Sequence, residues 1–197
     1  VGRSKSFHSP YEIDDLYVLQ MNPEEAIETI MDAYGDEIKR LVFTYMNNSA
    51  DTDDVTQEVF VTVYQKLNTF QGKSSLKSWI YSIAINKCKD HLRSWQSRNK
   101  RLKEKLMQSA QPGEQDVDTP EEQTIKQSES SKLLKQVMEL PVRYREVIIL
   151  FYFKELSTKE ISNVLNTKEA TVRTRLNRGR EKLKKCLSNE EGGVNHG

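Results

Sequence analysis

Apolar residues recur at spacings of three and four along most of this 197-residue chain, and strand-like alternation is absent. Ile27, Ile30, Met31, Tyr34, Ile38, Leu41, Val42 and Tyr45 predict one amphipathic helix over about 23–47. A second, over 51–67, aligns Val55, Val59, Val63 and Leu67. Asp51, Asp53, Asp54 and Glu58 surround its first turns, where the helix dipole favours negative charge. Residues 68–75 break the pattern with polar side chains and Gly72, and 76–93 resume it through Leu76, Ile80, Ile83, Ala84 and Cys88, with Trp79 leading the helix.

Between 108 and 129 the text changes to QSAQPGEQDVDTPEEQTIKQSE, which holds two prolines, six acids and few apolar side chains. Such a stretch builds no core and is long for a loop inside a compact fold, so it reads as a flexible acidic tether between two domains. Helical periodicity returns from Ser131 through Leu133, Leu134, Val137, Met138 and Leu140, breaks at Pro141, and continues as an apolar helix from Tyr144 to Phe153. The expected organisation is all-α: an N-terminal extension of open role (1–22, with Phe7, Tyr11, Leu16, Tyr17 and Leu19), a helical domain (23–106), a linker (107–129), a second helical domain (130–187) and a disordered tail (188–197).

Residues 156–185, LSTKEISNVLNTKEATVRTRLNRGREKLKK, read as a helix-turn-helix. Ser157 and Glu160 make a capping box for a first helix carrying Ile161, Val164 and Leu165 on one face and stopping near Asn166. Thr167 is the expected cap of a second helix in which Ala170, Val172, Leu176 and Leu183 look inward, while Arg173, Thr174, Asn177, Arg178, Arg180 and Lys184 look outward. From Lys168 to Lys185 there are eight Lys or Arg against two Glu, on a rod about 27 Å long at 1.5 Å per residue. That density suits a polyanion. The leading exposed residues of a recognition helix reach base edges, which puts Lys168, Thr171, Arg173, Thr174, Asn177 and Arg178 forward for duplex contact. Arg173 and Arg178 can fork onto guanine, and Asn177 can bond adenine.

The net charge of +1 leaves local clustering as the only source of nucleic-acid affinity. No run approaches the apolar length of a membrane span and no secretory signal opens the chain, so a cytoplasmic location without membrane insertion is expected. Val1 suggests a trimmed start. Cys88 and Cys186 are far apart with no CxxC and no clustered histidine, which points to two reduced thiols, Cys88 buried and Cys186 near a frayed helix end, and to no zinc site. His8, His91 and His196 are scattered, no P-loop, HExxH or serine elbow is present, and Asp51, Asp53 and Asp54 lack the loop of a calcium hand. No catalytic residue, metal, cofactor or small-molecule substrate is expected.

Two blocks then acquire a joint meaning. DTDDVTQEVFVTVYQKLNTFQGKSSLKSWIYSIAINKCKDHLRS (51–94) follows a pattern of acidic patch, QE-F, F-x-G-x-S loop, W-hydrophobic-Y-x-I-A-x-N and D-x-x-R. It is followed by LPVRYREVIILFYFKELSTKEISNVLNTKEATVRTRLNRGREKLKK (140–185). With both blocks in order across a polar linker, the chain resembles a bacterial RNA polymerase sigma factor of the extracytoplasmic-function class, the two-domain minimal type. The longer N-terminal extension is its main departure.

The resemblance implies a transcription initiation factor whose partners are core RNA polymerase (clamp helices of the largest subunit, and flap), promoter DNA and an anti-sigma factor. It places Asp54, Gln57 and Glu58, beside Val55 and Val59, on the clamp helices. Phe70, Gln71, Gly72, Ser74 and Ser75, in the loop 70–77, and Asn86 fall where the family holds a flipped-out base of the minus 10 element; hydroxyls, backbone donors and a ring suit an unstacked base. Trp79 would be a wedge at the strand junction or a core residue, and its helical spacing favours the core. Lys87, Lys89, Arg93, Arg98, Lys100, Arg101, Lys103 and Lys105 supply cations for phosphate or for a solvated face. The second domain would read the minus 35 duplex. A free-standing helix-turn-helix regulator explains the second half equally well, but the first half offers no ligand pocket, phospho-acceptor domain or dimer seam for one.

Overall fold

The computed structural model describes residues 15–18, 20–109 and 129–191, and among them there are helices and turns but no strand. Of the tether expected over 107–129, the first residues instead continue α4 to Ser109 and Glu129 opens a further helix, while 110–128 and most of the N-terminal extension and of the tail lie outside the described residues, as do His8 and His196. The chain divides into two compact units between Ser97 and Arg98.

In the first unit, a one-turn helix α1 (Asp15–Val18) precedes α2 (Pro23–Met46), α3 (Ser49–Lys66) and the larger part of α4 (Leu76–Ser109), which runs on past Ser97. Pro23 sits at the start of α2, where its missing N–H costs nothing, and the Asn22 side chain accepts from Glu25 N at 2.9 Å. Two asparagines make the next corner. Asn47 ends α2 in the left-handed region (φ 57°), and Asn48 caps α3 by accepting from Asp51 N at 2.8 Å. The expected stripes are buried: Ile30, Tyr34, Ile38, Leu41, Val42 and Tyr45 from α2, with Ile27 half-buried, Val55, Val59 and Val63 from α3 with Leu67 just beyond its end, and Leu76, Ile80, Ile83, Ala84 and Cys88 from α4. Met31 departs from its stripe and is exposed. Burial raises the Tyr81 hydroxyl well above its ordinary value, with Glu37 adding to the shift. It also pushes the Cys88 thiol up to about 12, so Cys88 is a protonated core side chain, as expected, and Cys186 is exposed.

The second unit holds α5 (Glu129–Glu139), α6 (Val142–Ile148), α7 (Thr158–Val164) and α8 (Glu169–Glu191). The apolar helix expected to reach Phe153 does so, but its last five residues, Ile149–Phe153, widen into a π-helical turn closed by Lys154 N to Ile149 O at 3.1 Å. Ile149 and Leu150 go into the core, while Tyr152 and Phe153 stand 52% and 53% exposed. Leu156 is anchored by its N–H on Leu150 O at 3.0 Å, and the capping box then forms, with Ser157 N donating to Glu160 Oε2 at 2.8 Å and Glu160 N to Ser157 Oγ at 3.2 Å. Asn166 (φ 47°) ends α7 in a Schellman turn, Asn166 N bonding Asn163 O and Thr167 N bonding Ser162 O. The first carbonyl in the α8 ladder is that of Lys168, accepting from Val172 N at 3.2 Å, one residue after the expected cap.

Val172 and Leu176 pin α8 to the unit. Gly179 lets it approach closely: a Cβ there would meet Ile148 Cγ1 at 3.0 Å. A helix-interior glycine costs about 1 kcal/mol against alanine, and the contact with α6 is what it gains. Beside it, Arg175 Nη1 donates to the buried Glu146 Oε1 at 3.0 Å.

Candidate polymerase and nucleic-acid interfaces

The outer face of α3 carries Asp54, Gln57, Val61 and Tyr64 at spacings of three and four, all exposed, with Val61 at 50%. Val55 and Val59, next to the docking acids in sequence, face the core with Val63, as the apolar stripe predicts. The apolar part of the outer face is therefore Val61 and Tyr64, which sequence reasoning missed. Glu58 and Asp51 lie on the flank toward α4, Glu58 Oε2 being 3.6 Å from Lys87 Nζ and Asp51 Oδ1 being 3.6 Å from His91 Nε2. On the other flank Asp53 holds Lys39 at 2.7 Å and lifts its ammonium above its usual value, while Tyr64 donates to Glu24 Oε1 at 3.1 Å. Both flanks are braced, and the line between them is open to a partner.

Loop 70–75 and α4 form a different face. Gly72 takes φ 65°, a conformation that glycine adopts without strain. Phe70, expected to offer its ring to a base, is 7% exposed and packs on Trp79 with centroids 5.2 Å apart. It is the floor under the loop. Ser75 is a helix cap, accepting from Ser78 N at 3.2 Å and donating to Ser78 Oγ at 3.0 Å, so its hydroxyl is committed to α4. Gln71, Gly72 and Ser74 remain exposed at the surface. Trp79 is half-buried rather than fully in the core. From it one stripe of α4 runs through Ser82, Asn86, Lys89 and Arg93, with Asn86 and Arg93 exposed and Arg93 paired to Asp90 at 2.8 Å. Arg98 and Lys100 are exposed farther along α4, whereas the side chains of Arg101, Lys103 and Lys105 lie outside the described residues.

On α8 the outward set is Ala170, Arg173, Thr174, Asn177, Arg178 and Lys185, all exposed. Ala170, expected inward, is turned out, since Val172 and Leu176 fix the buried side a quarter-turn or more away. Lys168 is exposed and Thr171 half-buried at the entry. Arg173 Nη2 donates to Glu169 Oε1 at 2.8 Å, and the same oxygen accepts from Thr158 Oγ1 at 2.5 Å. The Thr158 hydroxyl first, then Arg173, hold the Glu169 carboxyl below its usual range, so this tie between α7 and α8 is present at neutral pH and is lost as acid protonates Glu169.

Arg180, expected among the outward set, turns away from it. Its Nε donates to Tyr152 Oη at 2.7 Å and its guanidinium lies 5.6 Å and 5.5 Å from the Phe151 and Tyr152 ring centroids. Lys184, exposed as expected, and Arg180 rim an apolar groove of about 520 Å³ whose walls include Leu133, Tyr152, Phe153 and Leu187. Leu183, expected in the core, is half-buried in its lining.

The family described as Sigma-70 region 2 matches residues 30–98, and that described as Sigma-70, region 4 matches 130–183. The chain is 30% identical to the ECF RNA polymerase sigma factor SigW of Bacillus subtilis, across 83% of its own length and 90% of that of SigW. The chain belongs to the extracytoplasmic-function class of the sigma-70 family. It is also 28% identical to the RNA polymerase sigma-H factor of Pseudomonas aeruginosa, over 86% of this sigma factor and 90% of the relative. Its fold is shared with CnrH, solved in complex with the cytosolic domain of CnrY (TM-score 0.61, 22% identity, 89% and 95% of the two chains). It is shared too with RpoE, solved with the anti-sigma factor NepR from Bartonella quintana (TM-score 0.60, 17% identity, 87% and 99%). Region 2 of this sigma factor carries the α3 and α4 faces, and region 4 carries α8 and the groove. No described helix is long and apolar enough to cross a membrane, and no described group of His, Cys, Asp or Glu has a metal-holding arrangement.

Proposed function

We infer that this sigma factor directs core RNA polymerase to a particular promoter set through three separate surfaces. The outer face of α3 docks on the polymerase, loop 70–75 with the Asn86 stripe of α4 holds the unpaired minus 10 strand, and the outward face of α8 reads the minus 35 duplex. The observation that carries this reading is the division of labour within region 2, where exposed Val61 and Tyr64 lie with Asp54 on one helix while Asn86, Lys89 and Arg93 line another. An acidic, partly apolar line suits a basic helical partner, and an amide among cations suits a strand with exposed base edges. The reading assigns no catalytic step to the chain and places its action in the cytoplasm, where core polymerase is found.

Asp54→Lys combined with Val61→Asp is expected to weaken binding to core polymerase by about tenfold or more, the equivalent of about 1.4 kcal/mol, with helix content unchanged. A pull-down at moderate salt in which the variant is retained as well as wild type would remove α3 from the docking site. Asn86→Ala is expected to suppress promoter opening while sparing duplex binding. Permanganate reactivity of unpaired thymines reads this directly, and wild-type reactivity would count against the strand-holding role.

The groove in region 4 supports a second polymerase contact, the flap, because its walls suit the apolar side of a helix and its Arg180 and Lys184 rim suits acidic flanks. An anti-sigma factor that covers these faces would compete with the polymerase. The expected observation is a stoichiometric co-purifying protein displaced by core polymerase, and a complex that withstands excess polymerase would argue otherwise. A free-standing regulator would use α8 in the same way but leaves the open α3 face without purpose. Duplex binding as tight without polymerase as with it is the result that would favour that alternative.

A further inference from the structure

Lys87 stands between two of these surfaces. It follows Asn86 on α4, and its ammonium lies 3.6 Å from the carboxylate of Glu58, on the flank of the α3 docking face. Both side chains are wet, Lys87 being 33% and Glu58 60% exposed, so solvent screening makes the pair a weak tie that a competing ion can replace. The neighbouring pair is built differently. Asp51, 3.6 Å from His91, is also fixed by the Asn48 amide at 2.8 Å, and Asp90, one turn along from Lys87, is taken by Arg93.

We propose that Lys87 is shared between docking and strand capture: Glu58 holds it in the free chain, and engagement of Glu58 by a cation of the polymerase releases it to bind a phosphate of the captured strand. The inference rests on the reading under Proposed function and adds a route by which docking promotes capture. Once Glu58 faces a second cation, leaving Lys87 beside it puts two positive charges together. A polyanion running past Asn86, the residue before it, offers Lys87 another partner.

The exchange is testable on the full chain by fluorescence anisotropy with a short, labelled, single-stranded oligodeoxynucleotide of mixed sequence. Glu58→Gln frees Lys87 without polymerase, and the expected result is an affinity about threefold above wild type, the scale of an exposed ion pair, with a salt slope steeper by about 0.7. In a Lys87→Met background the same Glu58→Gln change should gain no more than Asp54→Asn gains in the wild-type chain, which measures the general effect of removing one acid. An equal gain with and without Lys87, or no gain at all, overturns the exchange. A separate arm uses wild-type chain saturated with core polymerase. If that complex fails to hold the strand, the underlying reading fails and takes the exchange with it, whereas strand binding there with no Glu58→Gln gain in the free chain overturns the exchange alone.

Discussion

Replacing Glu146 with alanine is expected to destabilise region 4 by about 3 kcal/mol, because it breaks a buried ion pair from one side. The Glu146 side chain is 3% exposed on α6 and receives Arg175 Nη1 at 3.0 Å. Without the carboxylate, a guanidinium packed between α8 and α6 loses its counter-charge. Arg175 is 30% exposed and regains part of its hydration, which places the loss at the low end of what such deletions cost. Denaturant unfolding followed by circular dichroism on the full chain measures it. Glu146→Gln, which keeps an acceptor in place, should cost less. A Glu146→Ala loss below about 1 kcal/mol, the scale of an ordinary hydrogen bond, would mean that Arg175 does not depend on this partner.

Arg178→Ala is expected to cost about 1–3 kcal/mol of affinity for the cognate minus 35 duplex and to relax preference at one position. Arg180→Ala should leave that preference unchanged. The two arginines are two residues apart, yet Arg178 faces outward while Arg180 is bonded to Tyr152 and lies over the Phe151 and Tyr152 rings. Losing Arg180 should instead weaken core polymerase binding through the groove. Salt titrations on cognate and scrambled duplexes separate the roles. If Arg178→Ala shifts both duplexes by one factor, Arg178 is a phosphate clamp and α8 is placed wrongly in the groove of DNA.

The helices of region 2 were legible because each buries one continuous apolar stripe, so spacing alone locates Ile38, Val59 or Ile80. The capping box at Ser157 and Glu160 was legible because it is local, with both partners inside one turn. Spacing does not distinguish an apolar residue that faces the core from one left open. Spacing therefore gives no sign of Val61 and points Ala170 and Met31 inward, where the structure turns both out. Loop residues were harder still. Phe70 and Ser75 are the residue types that hold a base, yet one packs on Trp79 and the other caps α4, and residue type alone does not distinguish those roles. Arg175 and Arg180 answer to partners 29 and 28 residues away, and no local pattern announces pairs of that separation.

The contact at Gly179 has a consequence for how such chains diversify. With no side chain between α8 and Ile148, the angular setting of α8 is fixed from its inner side. If the outward face of α8 reads the minus 35 duplex as proposed, substitutions at Arg173, Thr174, Asn177 or Arg178 would alter promoter choice one base at a time while the packing at Gly179 stays unchanged. Gene duplicates could drift apart in regulon through those four positions alone. A larger residue at 179 would act quite differently, turning every reader together and displacing the whole preference in a single step.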